Sequence, residues 1–146
     1  MIVRKYVPAD AEGVSAISQQ APEAAQWSRG VYEGAVRAGQ LVLVAESKGT
    51  VSGFVVCRFA AGEGEILNLA VTPAERRKGV GSRMLAEAVD EAGANRVERM
   101  YLEVRESNRV AIAFYEKHGF ARSGMRRNYY QSPTENALVM EQKLTG

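Results

Sequence analysis

Hydrophobic positions change their period along the chain, and the changes mark out a strand-rich molecule with four helical stretches. Residues 2–6 alternate weakly and read as a strand. Asp10 is placed to cap a helix that carries Ala11, Val14 and Ile17 on one face. Ser28 is placed to cap a second, weaker helix that runs to Ala38 and ends at Gly39. Leu41–Ser47 reads as a strand, Lys48-Gly49 as a turn and residues 51–60 as another strand, which predicts a hairpin. Residues 65–71 form a further strand, stopped by Thr72-Pro73.

The second half is patterned more strongly. Residues 81–92 place Leu85, Ala88, Val89 and Ala92 on one helical face. Residues 100–104 make a short strand. Ser107 or Asn108 caps a helix to His118, with Gly119 in the usual position just past a helix end. Ala111, Phe114, Tyr115 and His118 share a face of that helix. Residues 122–130 and 136–143 make a final antiparallel pair. These seven strands and four helices are arranged about a central strand–helix–strand unit, residues 65–71, 81–92 and 100–104. Such a unit requires parallel strands and a right-handed crossover. The expectation is an α/β fold with a mixed sheet, whose ligands bind beyond the C-terminal ends of the parallel strands.

Composition adds bounds. A chain of 146 residues, 46% hydrophobic and free of repeats or linkers, suits one globular domain. No apolar run has the length of a membrane span, and the first ten residues lack the pattern of a secretory leader. Cys57 is the only cysteine, so no intrachain disulfide forms, and the expected compartment is the cytoplasm. A net charge of +2 is too small to argue for nucleic acid as a bulk electrostatic partner. Charge matters locally, in Arg76-Arg77-Lys78 and Arg126-Arg127.

The first of these clusters opens the stretch Arg76-Arg77-Lys78-Gly79-Val80-Gly81-Ser82, which joins a strand to a helix. The first amides of a helix lack intrahelical partners, and the helix dipole adds positive charge there. Two glycines let a phosphate approach the backbone, and three basic side chains surround the turn. The stretch is neither a Walker loop, since Lys78 precedes the first glycine, nor a dinucleotide fingerprint, since the third glycine is missing. A solvated basic loop with a glycine cap is the bland alternative.

Arg76-x-x-Gly79-x-Gly81 resembles the Gln/Arg-x-x-Gly-x-Gly/Ala pyrophosphate-binding motif of the GNAT acetyltransferases. The stretch Glu65-Ile66-Leu67-Asn68-Leu69-Ala70-Val71-Thr72-Pro73 is similar to the strand before that motif in the same family. Tyr101-Leu102-Glu103-Val104-Arg105-Glu106-Ser107-Asn108 and Ala113-Phe114-Tyr115-Glu116-Lys117-His118-Gly119-Phe120 are similar to the strand and helix that follow. Arg126-Arg127-Asn128-Tyr129-Tyr130 resembles the RimI branch, the ribosomal-protein-alanine N-acetyltransferases. The likeness is strong over residues 65–130 and weak before Leu41.

The resemblance implies the GNAT acyl-CoA N-acyltransferase fold and acetyl-CoA as cosubstrate, without a metal. It implies that Leu69, Ala70 and Val71 meet the pantetheine arm through their backbone. Arg76, Arg77, Lys78, Gly79, Val80, Gly81 and Ser82 would wrap the pyrophosphate, and Asn108 would also touch coenzyme A. Glu103 would accept a proton from the attacking amine and Tyr115 would donate one to the departing sulfur. Trp27, Tyr129 and Tyr130 would border the acceptor groove. The implied acceptor is a protein N-terminus, in the RimI branch the N-terminal alanine of a small-subunit ribosomal protein. No membrane partner and no direct nucleic-acid partner are implied.

The residues by themselves leave alternatives open. Glu103 sits near the end of a parallel strand, where a base is expected, yet it is also able to pair with Arg105 or Arg99. Tyr115 lies about two turns into its helix, roughly 10 Å along the axis, and is equally readable as a core tyrosine. Trp27 serves equally as an anchor. An α-amine near pKa 8 is roughly 300-fold more often neutral than a lysine near neutral pH, which favours an α-amine for a single carboxylate base. Rival readings are a GNAT enzyme for lysines, small amines or other N-termini; a GNAT-shaped sensor; and a small RNA-binding module using the arginine clusters. Cys57 reads as a buried small hydrophobe, and His118 as complementing a helix dipole. No His, Cys and carboxylate spacing suits a metal.

Overall fold

The computed structural model describes residues 1–20 and 29–144. Within them the strands are β1 (Ile2–Lys5), β2 (Leu41–Ser47), β3 (Thr50–Ala60), β4 (Glu63–Val71), β5 (Arg99–Arg105), β6 (Ala121–Tyr130) and β7 (Glu135–Lys143). The helices are α1 (Ala11–Gln20), α2 (Arg29–Arg37), α3 (Val80–Ala94) and α4 (Arg109–Lys117). The seven strands form one sheet in the order β1-β2-β3-β4-β5-β7-β6. Only β4 and β5 run parallel, joined by α3, and every other neighbouring pair is antiparallel. The mixed sheet and the central crossover agree with the sequence. The return of β7 to lie between β5 and β6 is new information, because hydrophobic period says nothing about strand order.

Two apolar layers sandwich the sheet. On one face α3 and α4 bury Met84, Leu85, Ala88, Ile112 and Tyr115 against Leu102, Val104, Leu138 and Met140. On the other, Ala11, Val14 and Ile17 of α1 and Tyr32 of α2 pack on Val42, Val44, Phe54 and Val56. Residues three and four apart on each helix and alternate residues on each strand supply these contacts.

Several local expectations are corrected. Asp10 does not cap α1. Its carboxylate accepts from both terminal nitrogens of Arg4, at 2.8 and 2.9 Å, and from the amide of Val7 at 2.9 Å. Arg4 first, and the Val7 amide after it, hold the acid below its usual range. Of the two candidates before α4, Asn108 is the cap, its Oδ1 accepting from the Ala111 amide at 3.2 Å. Gly119 follows α4 with a φ of 94°, the left-handed residue that glycine tolerates. Ser28 and Trp27 lie outside the described residues.

One irregularity shapes the centre of the sheet. Val56 faces Asn68 and Cys57 faces Ile66, so Leu67 is an extra residue on β4. Ile66 lies in the α3 layer, whereas Leu67 and Ala70 turn to the α1 layer and Leu69 and Val71 return to the α3 layer. Pairing between β4 and β5 stops at Ile66 and Leu102. Beyond that point β4 follows β3 and β5 follows β7, so the two parallel strands part.

Candidate active site

The parting of β4 and β5 leaves the β5-facing edge of residues 69–71 without a strand partner among the described residues. A backbone edge of this kind offers amides and carbonyls to an extended ligand. Leu69, Ala70 and Val71 stand on this edge. At its end, Pro73–Glu75 forms a short 3-10 turn, and Arg76 Nε reaches back to the Val71 carbonyl at 3.3 Å.

The basic turn follows directly. Arg76, Arg77 and Lys78 are all exposed, and Arg77 has a φ of 65°. Gly79 caps α3 with φ 83° and ψ 5°, and no side chain caps the helix in its place. A side chain at Gly79 would be strained by that conformation, and the first amides of α3, those of Val80, Gly81 and Ser82, have no intrahelical partner. A Cβ on Gly81 would touch the ring of Phe114 at 3.4 Å, so α4 closes against the first turn of α3. The Ser82 hydroxyl lies 2.9 Å from His118 Nε2, a tie between the two helices that the dipole reading of His118 did not foresee. Asn108 caps α4 across the slot from the β4 edge.

The other wall is the α1-side face of β5, β7 and β6. No described helix packs over it. Glu103 is on this face, flanked by the buried Leu102 and Val104 that point the opposite way. Its side chain is 16% exposed, and Oε1 lies 3.2 Å from Arg126 Nε. Oε2 is buried and has no hydrogen-bond partner. The alternatives weighed from sequence are corrected here: Arg99 pairs with Glu141 at 3.7 Å, and Arg105 pairs with Glu135 at 3.2 Å. Arg126 also lies over the Tyr129 ring, 5.8 Å from its centroid.

Tyr129 and Tyr130 meet edge to face at 5.1 Å. The charge of Glu103, then burial, pushes the Tyr129 hydroxyl up. Burial, then Glu103, raises Tyr130 to about 12. Arg105 lies 4.5 Å from the centroid of the Tyr130 ring. It also donates to the carbonyls of Gln131 and Pro133 at 3.1 Å each, fastening the turn between β6 and β7. Glu135 completes this support by accepting from the Ser107 amide at 2.7 Å, which with Arg105 holds its carboxyl below the usual range. A polar cavity of about 450 Å³ beside this turn is lined by Glu106, Asn128 and Asn136, and contains neither Glu103 nor Tyr115.

Tyr115 is on the other side of the sheet, 8% exposed among Phe114 and Phe120. Burial raises its hydroxyl well above the ordinary tyrosine value. Glu103 and Tyr115 therefore lie on opposite faces of the sheet. Cys57 is buried in the same layer as Tyr115, and burial pushes its thiol up to about 12, which keeps it un-ionised and unreactive.

Arg105, Glu135 and His118 support the site without having been assigned to it from sequence. Arg126 was visible within the Arg126–Tyr130 segment, and Arg105 within the strand motif and as a possible partner of Glu103, but neither with the contact it makes. Pairing to side chains distant in sequence gives both their roles.

Comparison with known proteins shows the family. The family model for the acetyltransferase (GNAT) family matches residues 10–120. The ribosomal protein bS18-alanine N-acetyltransferase of Salmonella typhimurium is 33% identical over 124 residues, 84% of each chain. The enzyme of that name from Haemophilus ducreyi is 31% identical over 125 residues, covering 84% of this chain and 86% of the relative. The crystal structure of the Escherichia coli ribosomal-protein-S18-alanine N-acetyltransferase superposes with a TM-score of 0.88 at 28% identity, over 99% of this chain and 94% of that one.

Proposed function

The chain belongs to the GNAT acetyltransferase family, and from that premise we propose that, as a single domain, it acetylates the N-terminal alanine of ribosomal protein bS18 or its equivalent. Family membership makes it an N-acetyltransferase with acetyl-CoA as cosubstrate, rather than a stand-alone RNA-binding module. No described helix is long and apolar enough to cross a membrane.

The residues present fit acetyl-CoA. The unpaired β4 edge suits the amide-bearing pantetheine arm, and the glycine-capped start of α3 with its exposed cations suits the pyrophosphate. Leu69, Ala70 and Val71 would hold the arm, residues 76–82 the phosphates, and Asn108 the arm from the α4 side. When bound, acetyl-CoA supplies an acetyl thioester.

The observation that carries the catalytic reading is the buried, unpartnered Oε2 of Glu103 on an open face beside the slot. A buried carboxylate oxygen without a donor is costly, by about 1–3 kcal/mol or more, unless a ligand or water satisfies it. An acceptor amine or its bridging water is a suitable donor, and Glu103 takes the proton that the amine loses on attack. Tyr115, kept protonated by burial, hands its hydroxyl proton to the departing sulfur. Tyr129 and Tyr130 flank the peptide that carries the amine, with Trp27 as a further border.

The test is acetyl-CoA turnover against three peptides, with products located by mass spectrometry. The peptides are one with a free N-terminal alanine, its N-blocked form and a lysine-only control. Acetylation confined to the free α-amine is expected. Acetylation of lysine alone would overturn the α-amine assignment.

A further inference from the structure

We propose that Arg126 is a positioning residue for acetyl transfer: its guanidinium pairs with Oε1 of Glu103 and fixes the orientation in which the carboxylate meets the acceptor. This rests on Glu103 being the base.

Arg126 is on β6 and Glu103 on β5, and β7 lies between them. Arg126 faces Ala137 of β7, Glu103 faces Val139 and Arg105 faces Ala137, so all three side chains share one face of the sheet. To bring Nε within 3.2 Å of Oε1, the arginine must lie flat across β7. It is steered there by the Tyr129 ring beneath its guanidinium.

A carboxylate with no fixed partner turns about its last bond and presents either oxygen. A close ion pair at Oε1 restrains that freedom. The two oxygens are accordingly unequal: Oε1 is paired with the guanidinium, and Oε2 is buried without a hydrogen-bond partner. The arrangement also keeps a cation beside the base.

A purely structural ion pair would behave differently. Arg126 is 61% exposed, and an exposed pair contributes little to stability. Its effect is expected in turnover and only through Glu103.

The experiment compares wild type with R126Q, R126K, E103Q and the double variant E103Q/R126Q, using the free-alanine peptide and saturating acetyl-CoA. R126Q is expected to lower kcat about tenfold, as for a coupled neighbouring pair, with acetyl-CoA Kd and Tm unchanged. R126K is expected to recover part of the loss. In the E103Q background, R126Q is expected to change turnover less than twofold. Overnight reactions read by mass spectrometry keep the slow variants measurable. An equal loss from R126Q in both backgrounds, or no loss at all, would overturn the proposal while leaving Glu103 as base. Full activity in E103Q would overturn the base assignment and this proposal with it.

Discussion

The two walls of the slot are made from different materials. The β4 wall and the turn into α3 present backbone: an unpaired strand edge, a left-handed glycine and uncapped amides. The β5–β7–β6 wall presents side chains: Glu103, Arg126, Tyr129 and Tyr130, supported by Arg105 and Glu135. A backbone surface recognises what any sequence of that shape would recognise. It suits a coenzyme whose structure never varies. A side-chain surface is adjusted by single substitutions, which suits the choice among acceptors.

This division predicts separable defects. The largest lies on the side-chain wall, where E103Q is expected to reduce kcat roughly a hundred- to ten-thousandfold while acetyl-CoA Kd stays within about twofold. Unchanged turnover across pH would remove Glu103 from its role. Next is the backbone wall. G79E forces a left-handed conformation on a non-glycine residue, costing about 1–2 kcal/mol, and sets a negative charge beside the phosphates. Acetyl-CoA Kd should rise by about tenfold or more, as calorimetry would show, with acceptor KM little altered.

Y115F, which removes only a hydroxyl, is expected to lower kcat about tenfold without unfolding the core. Because burial raises the pKa of Tyr115, its hydroxyl stays protonated as pH rises, and wild-type kcat should show no basic limb below about pH 10. A limb near pH 9 that disappears in Y115F would contradict the raised value. The smallest effect is expected from E135Q, which loosens Arg105 and the β6–β7 turn. Acceptor KM should rise about three- to tenfold with acetyl-CoA Kd unmoved, and a change in the latter would blur the distinction between the walls.

The same contrast explains what was legible in the sequence. The backbone wall was readable because its signal is local: a strand, a Thr-Pro stop, two glycines and an amphipathic helix lie within about thirty consecutive residues. All seven strands were placed to within about two residues for the same reason. The side-chain wall was readable only where a family motif spanned it. Glu103 and the tyrosine pair were singled out, but the Arg126–Glu103 and Arg105–Glu135 contacts join residues 23 and 30 positions apart. Those contacts depend on β7 inserting between β5 and β6, which no periodicity encodes. Asp10 shows the same limit. Its position before an apolar run predicts a cap, yet Arg4 on the neighbouring strand claims the carboxylate.

Leu67 carries a consequence of another kind. It is a spare tooth in a zipper: β4 has one residue more than β3 can match, and the fastening to β5 stops where that tooth sits. The opening in the sheet is thus written as a count, not as a chemical identity. Leu67 is free to be exchanged for another apolar residue, but its removal would bring β4 back into step and draw the seam shut.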